Sequence, residues 1–289
     1  MLQLARRQIV VRTNIMLGSQ PGGRDRMSTP AATVRMPRLT SSYTYDERTV
    51  AEESPVALVY DGTTVAVLMV TPTDLTDLAV GFSLTEGIIQ DIGEIAELTI
   101  APAPDGIELR MWLRPNAGRL LKERRRRLVG PTGCGLCGIE SLREANRIAR
   151  PVQQEVYLTP EQICVSIDTL AALQLLNHKT HATHAAGFFQ PGRRDMIVRE
   201  DVGRHNALDK LAGALAVEGI SGPAGAVILT SRISVEMVQK TAAIGAGVII
   251  AISAPTALAI RTAEANGITL VGIARGREFE VFSHFARIL

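Results

Sequence analysis

Strand-like and helical periods of apolar residues begin near Tyr45. Residues 56–60 and 63–70 are β-rich runs joined by Asp61-Gly62, a strong short hairpin signal. Thr71-Pro72-Thr73-Asp74 then predicts a helix start, with Thr71 able to cap and Pro72 suited to the first helical position. Leu75, Leu78, Ala79, Phe82 and Leu84 give that helix an apolar side to about Glu86, and Gly87 fits its C-terminal cap. Residues 95–101 and 107–113 predict a second hairpin around Pro104-Asp105-Gly106. A basic stretch follows at 119–128, and a short helix is expected at 141–149.

From Thr159-Pro160-Glu161-Gln162, a capping-box pattern, a helix is expected to run to about Asn177. The pattern then alternates. Strands are expected at 196–199, 226–229, 248–252 and 268–273, with helices at 207–217, 235–244 and 256–265. Continuous apolar strands between helices argue for a sheet covered on both faces. The organisation expected is an α/β protein: an α/β/α layered sheet over 141–289, a smaller mixed α+β part over 45–129, and a mobile arm at 130–140 joining them. Residues 1–44 read as a disordered or mis-annotated extension. Six arginines within 1–36 and the lack of a clean apolar core argue against a signal peptide, and Met16, Met27 and Met36 are alternative starts.

Composition narrows the function. The formal net charge of +2 gives no broad case for nucleic acid or a membrane surface, and 4% aromatic content argues against base-stacking platforms. No apolar run reaches the length that spans a bilayer. Three cysteines in 289 residues make no disulfide framework and fit a reducing compartment.

Two of those cysteines, Cys134 and Cys137, form a C-x-x-C among Gly130, Gly133, Gly135 and Gly138. Upstream arginines 124–127 and a helix start at Ser141 would both favour thiolate. The pair is equally half of a zinc site, with His181 and His184 as the other candidate ligands. Their separation matches no zinc-finger spacing, and the deaminase signature H-x-E with P-C-x-x-C is absent. Reactive thiol and metal ligand both stay open on the residues alone.

Glu200-Asp201-Val202-Gly203-Arg204-His205-Asn206 lies between a predicted strand end and a helix start, where α/β sheets bind ligands. Ser253-Ala254-Pro255-Thr256 occupies an equivalent place. It could cradle phosphate or simply cap a helix. Arg275-Gly276-Arg277 at the end of the last strand fits phosphate recognition or a basic loop. Cys164, among Ile163, Val165 and Ile167, reads as a buried, inert thiol.

Taken in order, Thr71-Pro72-Thr73-Asp74-Leu75, residues 81–89, Cys134-Gly135-Leu136-Cys137-Gly138, residues 200–210, Ser253-Ala254-Pro255-Thr256 and residues 267–272 resemble the formate dehydrogenase accessory sulfurtransferase family. Two places depart from its pattern. His181-Ala182 stands where the family has a Gly pair, and Glu280-Val281-Phe282-Ser283 where it has Asn-Val-Tyr-Thr. The resemblance implies a cytidine-deaminase-like fold without deaminase chemistry, and a cytoplasmic sulfur carrier. Such a protein takes persulfide sulfur from a cysteine desulfurase. It passes the sulfur to the molybdenum (or tungsten) bis-guanine-dinucleotide cofactor before insertion into formate dehydrogenase. Cys134 maps to the persulfide site and Cys137 to its companion. Ile273, Ala274, Arg275, Gly276, Arg277 and Glu278 map to the cofactor contact. Asp201, Arg204, His205, Asn206, Thr183 and His184 are expected around the same cargo. A homodimer is implied. No tightly held metal, nucleic acid or membrane partner is expected.

Overall fold

A computed structural model describes residues 30–115, 117, 152 and 156–289, and the backbone of 10–13. The expectations at 119–128, 130–140 and 141–149, and with them Cys134 and Cys137, lie outside the described residues.

The first sheet joins β1 (Val10–Thr13), β4 (Ser54–Tyr60), β5 (Thr63–Val70), β6 (Ile95–Ala103) and β7 (Gly106–Leu113) in the order β1-β6-β7-β4-β5. Both expected hairpins form as antiparallel pairs. The helix α1 (Leu75–Thr85) covers one face, burying Leu75, Leu78, Ala79 and Phe82 against Val56, Leu58, Leu98 and Leu109. Its start differs from expectation. Asp74, in the left-handed region at φ 51, precedes the first turn with no side-chain cap. Thr71 Oγ1 instead accepts a hydrogen bond from Val202 N at 3.1 Å, so the would-be cap ties two distant segments together.

Order also begins earlier than Tyr45. Strands β2 (Thr33–Leu39) and β3 (Tyr45–Ala51) pair antiparallel as a separate ribbon, and Arg48 Nη2 donates to the Thr180 carbonyl from it. Sequence reading missed this ribbon because charged residues such as Arg35, Arg38, Asp46 and Glu47 interrupt its alternation. Those charges pair with each other across the strands.

The second sheet has six strands: β8 (His184–Phe189), β9 (Ile197–Asp201), β10 (Ala226–Leu229), β11 (Val248–Ala251), β12 (Thr269–Arg275) and β13 (Glu278–Ser283). Their order is β13-β12-β11-β10-β8-β9, with β10, β11 and β12 parallel. Burial on both faces explains the continuous apolar runs. Val227 and Leu229 face a cluster built by α4 (Arg204–Glu218), α5 (Val235–Ile244) and α6 (Ala257–Ala265). Ala226 and Ile228 face Ile163, Ile167 and Leu170 of α2 (Pro160–Leu173). The α/β/α layering therefore forms as expected.

The capping box at Thr159 and Gln162 is present. The helix it starts breaks at Gln174, and α3 (Leu175–Thr180) is separate. Glu200 accounts for the break. Its carboxylate accepts from Leu176 N at 2.7 Å and Asn177 N at 2.8 Å, taking backbone donors that a continuous helix would use. Cys164 is a free thiol and is partly exposed on α2, not buried.

The two sheets are joined through α1 and α4, which cross at Gly81 and Gly213. A Cβ on Gly81 would overlap the Asp209 carbonyl, and one on Gly213 the Asp77 carbonyl. Only glycine permits that approach. Beside the crossing, Lys240 Nζ donates to Asp209 Oδ1 at 2.8 Å, Glu86 Oε1 at 2.8 Å and Thr85 Oγ1 at 3.0 Å. Residues from both parts thus share one polar seam, while each part keeps hydrophobic clusters of its own, one within 56–111 and two within 156–274.

Candidate functional site at the carboxyl edge of the second sheet

Strand register gathers the dispersed candidates along one edge. The ends of β10, β11 and β12 lie side by side because these strands are parallel. Strand β8 runs opposite to β10, so its first residue, His184, reaches the same edge, where it pairs with Asp201 at the end of β9. Helices α4, α5 and α6 all start here, after residues 202–203, 230–234 and 252–256. The last two loops are bridged at Ile233 and Pro255, with Ile233 N donating to the Ala254 carbonyl and Thr256 N to the Ile233 carbonyl. Three helix N-termini give this edge positive potential, although at α6 the Thr256 side chain already accepts from Ala259 N.

At the β12 end, Ile273 takes φ 54 and its N–H donates to the Ser253 carbonyl at 3.2 Å. A β-branched residue in the left-handed region is strained, and such strain collects at functional sites. Arg275 Nε donates to the Ile252 carbonyl at 3.1 Å. Gly276, at φ 59, turns the chain into β13. Ile273, Arg275, Gly276, Arg277 and Glu278 are exposed, whereas Ala274 is buried in the core beneath them.

At the β9 end the candidates divide by role. Asp201 is fully buried. Its Oδ2 meets Lys210 Nζ at 2.7 Å and Thr71 N at 3.1 Å; its Oδ1 accepts from Gly203 N at 2.8 Å and Asn206 Nδ2 at 3.0 Å. Asn206 Nδ2 also donates to the Met69 carbonyl at 2.8 Å. Both residues were expected to face the cargo. The structure gives their polar atoms to the joint between the sheets. Thr183 is likewise buried, with Oγ1 donating to Glu200 Oε1 at 3.1 Å.

Arg204 and His205 remain in the first turn of α4, part-exposed at the edge. Burial, then the charges of Arg204 and Lys240, push the His205 imidazole down to about 4, against the pull of Glu236 and Glu86. Burial and then Arg204 also lower His184, whose Nδ1 lies 3.5 Å from Thr230 Oγ1. Glu236, in the first turn of α5, is pushed up by burial. Hydrogen bonding and the charges of His205 and Arg204 outweigh that and hold it below the usual carboxylate range. Near neutral pH the edge thus presents two neutral imidazoles, a guanidinium and a carboxylate.

Sequence reading did not single out Thr230, Arg232 or Glu236. The polar run Thr230-Ser231-Arg232-Ile233-Ser234 between a strand and a helix is the same kind of signal that marked 200–206. His181, the other zinc candidate, is exposed at the end of α3, three residues before His184. Among the described residues no group of three His, Cys, Asp or Glu side chains could hold a metal ion. Nor is any helix among them long and apolar enough to cross a membrane.

Helix N-termini and arginines gather along this edge of a layered α/β sheet, and the chain carries a C-x-x-C outside the described residues. The chain belongs to the FdhD/NarQ family, whose model matches residues 51–289. It is 51% identical over 246 residues to a sulfur carrier protein FdhD of Agrobacterium fabrum, covering 84% of this chain and 90% of that protein. The FdhD sulfur carrier protein of Cupriavidus necator is 49% identical over 239 residues, covering 83% of each chain. In three dimensions it resembles a crystal structure described as a formate dehydrogenase accessory protein of Desulfotalea psychrophila. The TM-score is 0.69 and the identity 26%, over 89% of this chain and 100% of that one.

Proposed function

We propose that this chain is a sulfur carrier acting in the maturation of formate dehydrogenase. The Cys134 thiolate attacks the outer sulfur of a persulfide on a cysteine desulfurase. A new S–S bond forms at Cys134, the donor's S–S bond breaks, and the donor cysteine leaves as thiolate, with no net oxidation. Attack by the Cys137 thiolate on the inner sulfur then releases hydrosulfide and leaves a Cys134–Cys137 disulfide, which a dithiol reductant resets. The recipient is the molybdenum (or tungsten) bis-guanine-dinucleotide cofactor, carried as cargo and then passed to formate dehydrogenase. The setting is the reducing cytoplasm, and the working unit is a homodimer.

The observation that carries this reading is the collection of α4, α5 and α6 N-termini with Arg204, Arg232, Arg275 and Arg277 around one sheet edge. Helix N-termini and guanidinium groups are the donor set that a multiply phosphorylated dinucleotide needs. Ile273–Glu278 would contact the nucleotide, with Arg275 and Arg277 toward its phosphates. Asp201, Asn206 and Thr183 would support the site from behind.

The test is mass spectrometry of the full chain after incubation with a cysteine desulfurase and cysteine. One added sulfur is expected on the Cys134 peptide. Cys134→Ala should lose that sulfur and fail to activate formate dehydrogenase, while keeping the wild-type melting temperature and guanine-nucleotide affinity. Normal activation by Cys134→Ala would overturn the mechanism.

A further inference from the structure

A cavity of about 520 Å³ opens at the opposite end of the second sheet, lined by Tyr157, His284, Phe285, Ala286 and Arg287. That volume is within the range of small-molecule sites. Local pairing fixes its walls. Leu158 and Ile288 form a parallel bridge, with Leu158 N donating to the Arg287 carbonyl at 3.0 Å and Leu289 N to the Leu158 carbonyl at 2.9 Å. Thr269 Oγ1, at the start of β12, donates to the His284 carbonyl at 2.9 Å, and His284 Nε2 lies 2.9 Å from the Glu264 carbonyl of α6.

Arg287 sets the chemistry of this cavity. Its Nη1 donates to the Gly247 carbonyl at 3.0 Å, to the Gly267 carbonyl and to Thr269 Oγ1 at 3.1 Å, which fixes one arm of the guanidinium fork. Its Nε and Nη2 have no hydrogen-bond partner among the described residues, and no carboxylate among them pairs with the guanidinium. Burial pushes its pKa down, with Tyr157 acting against that. Donors therefore remain for one planar anion.

The walls beside it are aromatic. Tyr157 is 54% exposed and Phe285 65%. Aromatic residues make up only 4% of the chain, so two uncovered rings at one cavity differ from apolar residues scattered singly over a surface. Such rings favour a flat partner. A multiply charged phosphate fits less well, because one guanidinium would face it and the Glu264 carboxylate lies beside the lining, 3.8 Å from His284 Nε2. A carboxylate carries a single charge and matches the guanidinium fork.

We propose that this cavity is a binding site for a small aromatic carboxylate, with Arg287 holding the carboxylate and Tyr157 and Phe285 stacking on the ring. The site lies one length of β12, about 20 Å, from the edge that carries Arg275 and Arg277, so its ligand is separate from the cargo. It does not rest on the sulfur-carrier reading.

The experiment titrates the full chain with sodium naphthoate near pH 7.5 at constant ionic strength, followed by calorimetry. One saturable site per chain is expected. Naphthylmethanol keeps the ring without the charge and should bind at least about tenfold more weakly. Cyclohexanecarboxylate keeps the charge without the flat ring and should lose about threefold or more. Phe285→Ala should weaken naphthoate by about threefold or more at an unchanged melting temperature, since the ring is mostly exposed. Arg287→Lys, which keeps the charge but not the fork, should weaken it by about tenfold. That variant also gives up contacts to Gly247 and Gly267, so Tyr157→Leu, with about a threefold loss, is the second comparison if the melting temperature falls. Absence of saturation, equal binding of naphthylmethanol, or unchanged affinity in both Phe285→Ala and Tyr157→Leu would each overturn the proposal.

Discussion

Lys210 Nζ lies 2.7 Å from Asp201 Oδ2, and neither side chain has any exposed surface. Lys210 also donates to the Thr71 carbonyl at 2.9 Å, and Thr71 N donates back to Asp201. One ion pair therefore ties the start of α4 to the segment leaving β5, holding the second sheet's edge against the first sheet. Burial pushes the Lys210 ammonium pKa down while the charge of Asp201 opposes it, so the pair is stable only as a pair. Asp201→Asn or Lys210→Met alone should cost about 3–5 kcal/mol, because each strands a buried polar or charged partner. The double variant should recover part of that loss. Urea unfolding of the three variants gives the coupling, and simple additivity would refute the arrangement.

The crossing of α1 and α4 gives a second prediction with an opposed alternative. Gly→Ala in a helix interior ordinarily stabilises by up to about 1 kcal/mol. At Gly81 and Gly213 the added methyl would overlap a backbone carbonyl of the partner helix, and backbone cannot swing aside as a side chain can. Steric overlap should win, with a net loss of about 1–3 kcal/mol or more for either substitution. The readout is a lower urea midpoint at unchanged slope.

How far the chain could be read follows from where its partners lie. Strands β10, β11 and β12 were legible because both their faces are buried, which writes a continuous apolar run. Strand β8 was not, because His184-Ala185-Ala186-Gly187 has little strand preference. Gly187 sits close under the side-chain ends of Met196 and Leu170, which a Cβ would push aside. At the site, sequence singled out the loop 200–206 for its polar residues but could not separate two reasons for them. Asp201 and Asn206 look like ligand contacts until Thr71 and Met69, over a hundred residues earlier, turn out to be their partners. Residue type announces a buried polar group, and only the tertiary contact says what satisfies it.

His205 provides a test by pH. Its imidazole is held down to about 4 in the fold, against about 6.5 in the unfolded chain. Between those values the unfolded state binds the extra proton, so stability is fully present above pH 6.5 and is lost as pH falls toward 4. Because the ring is partly exposed, the loss should be about 1–2 kcal/mol, less than the full linkage value. In His205→Asn the slope of stability against pH over that window should flatten. An unchanged slope would show that His205 titrates normally.

Ile273 should separate stability from binding. Its φ of 54 costs an L residue roughly 1–2 kcal/mol, and asparagine tolerates this region better. The residue is 37% exposed, so little burial is lost on replacement. Asn in its place should raise stability by about 0.5–1 kcal/mol, seen as a higher melting temperature. Under the proposed cofactor-binding role, guanine-nucleotide affinity should fall at the same time, because Ile273 opens the segment that carries Arg275 and Arg277 past the ends of β11 and β12. A variant that is both more stable and equally tight would mean that the strain at Ile273 serves the hairpin turn into β13 and not the cargo.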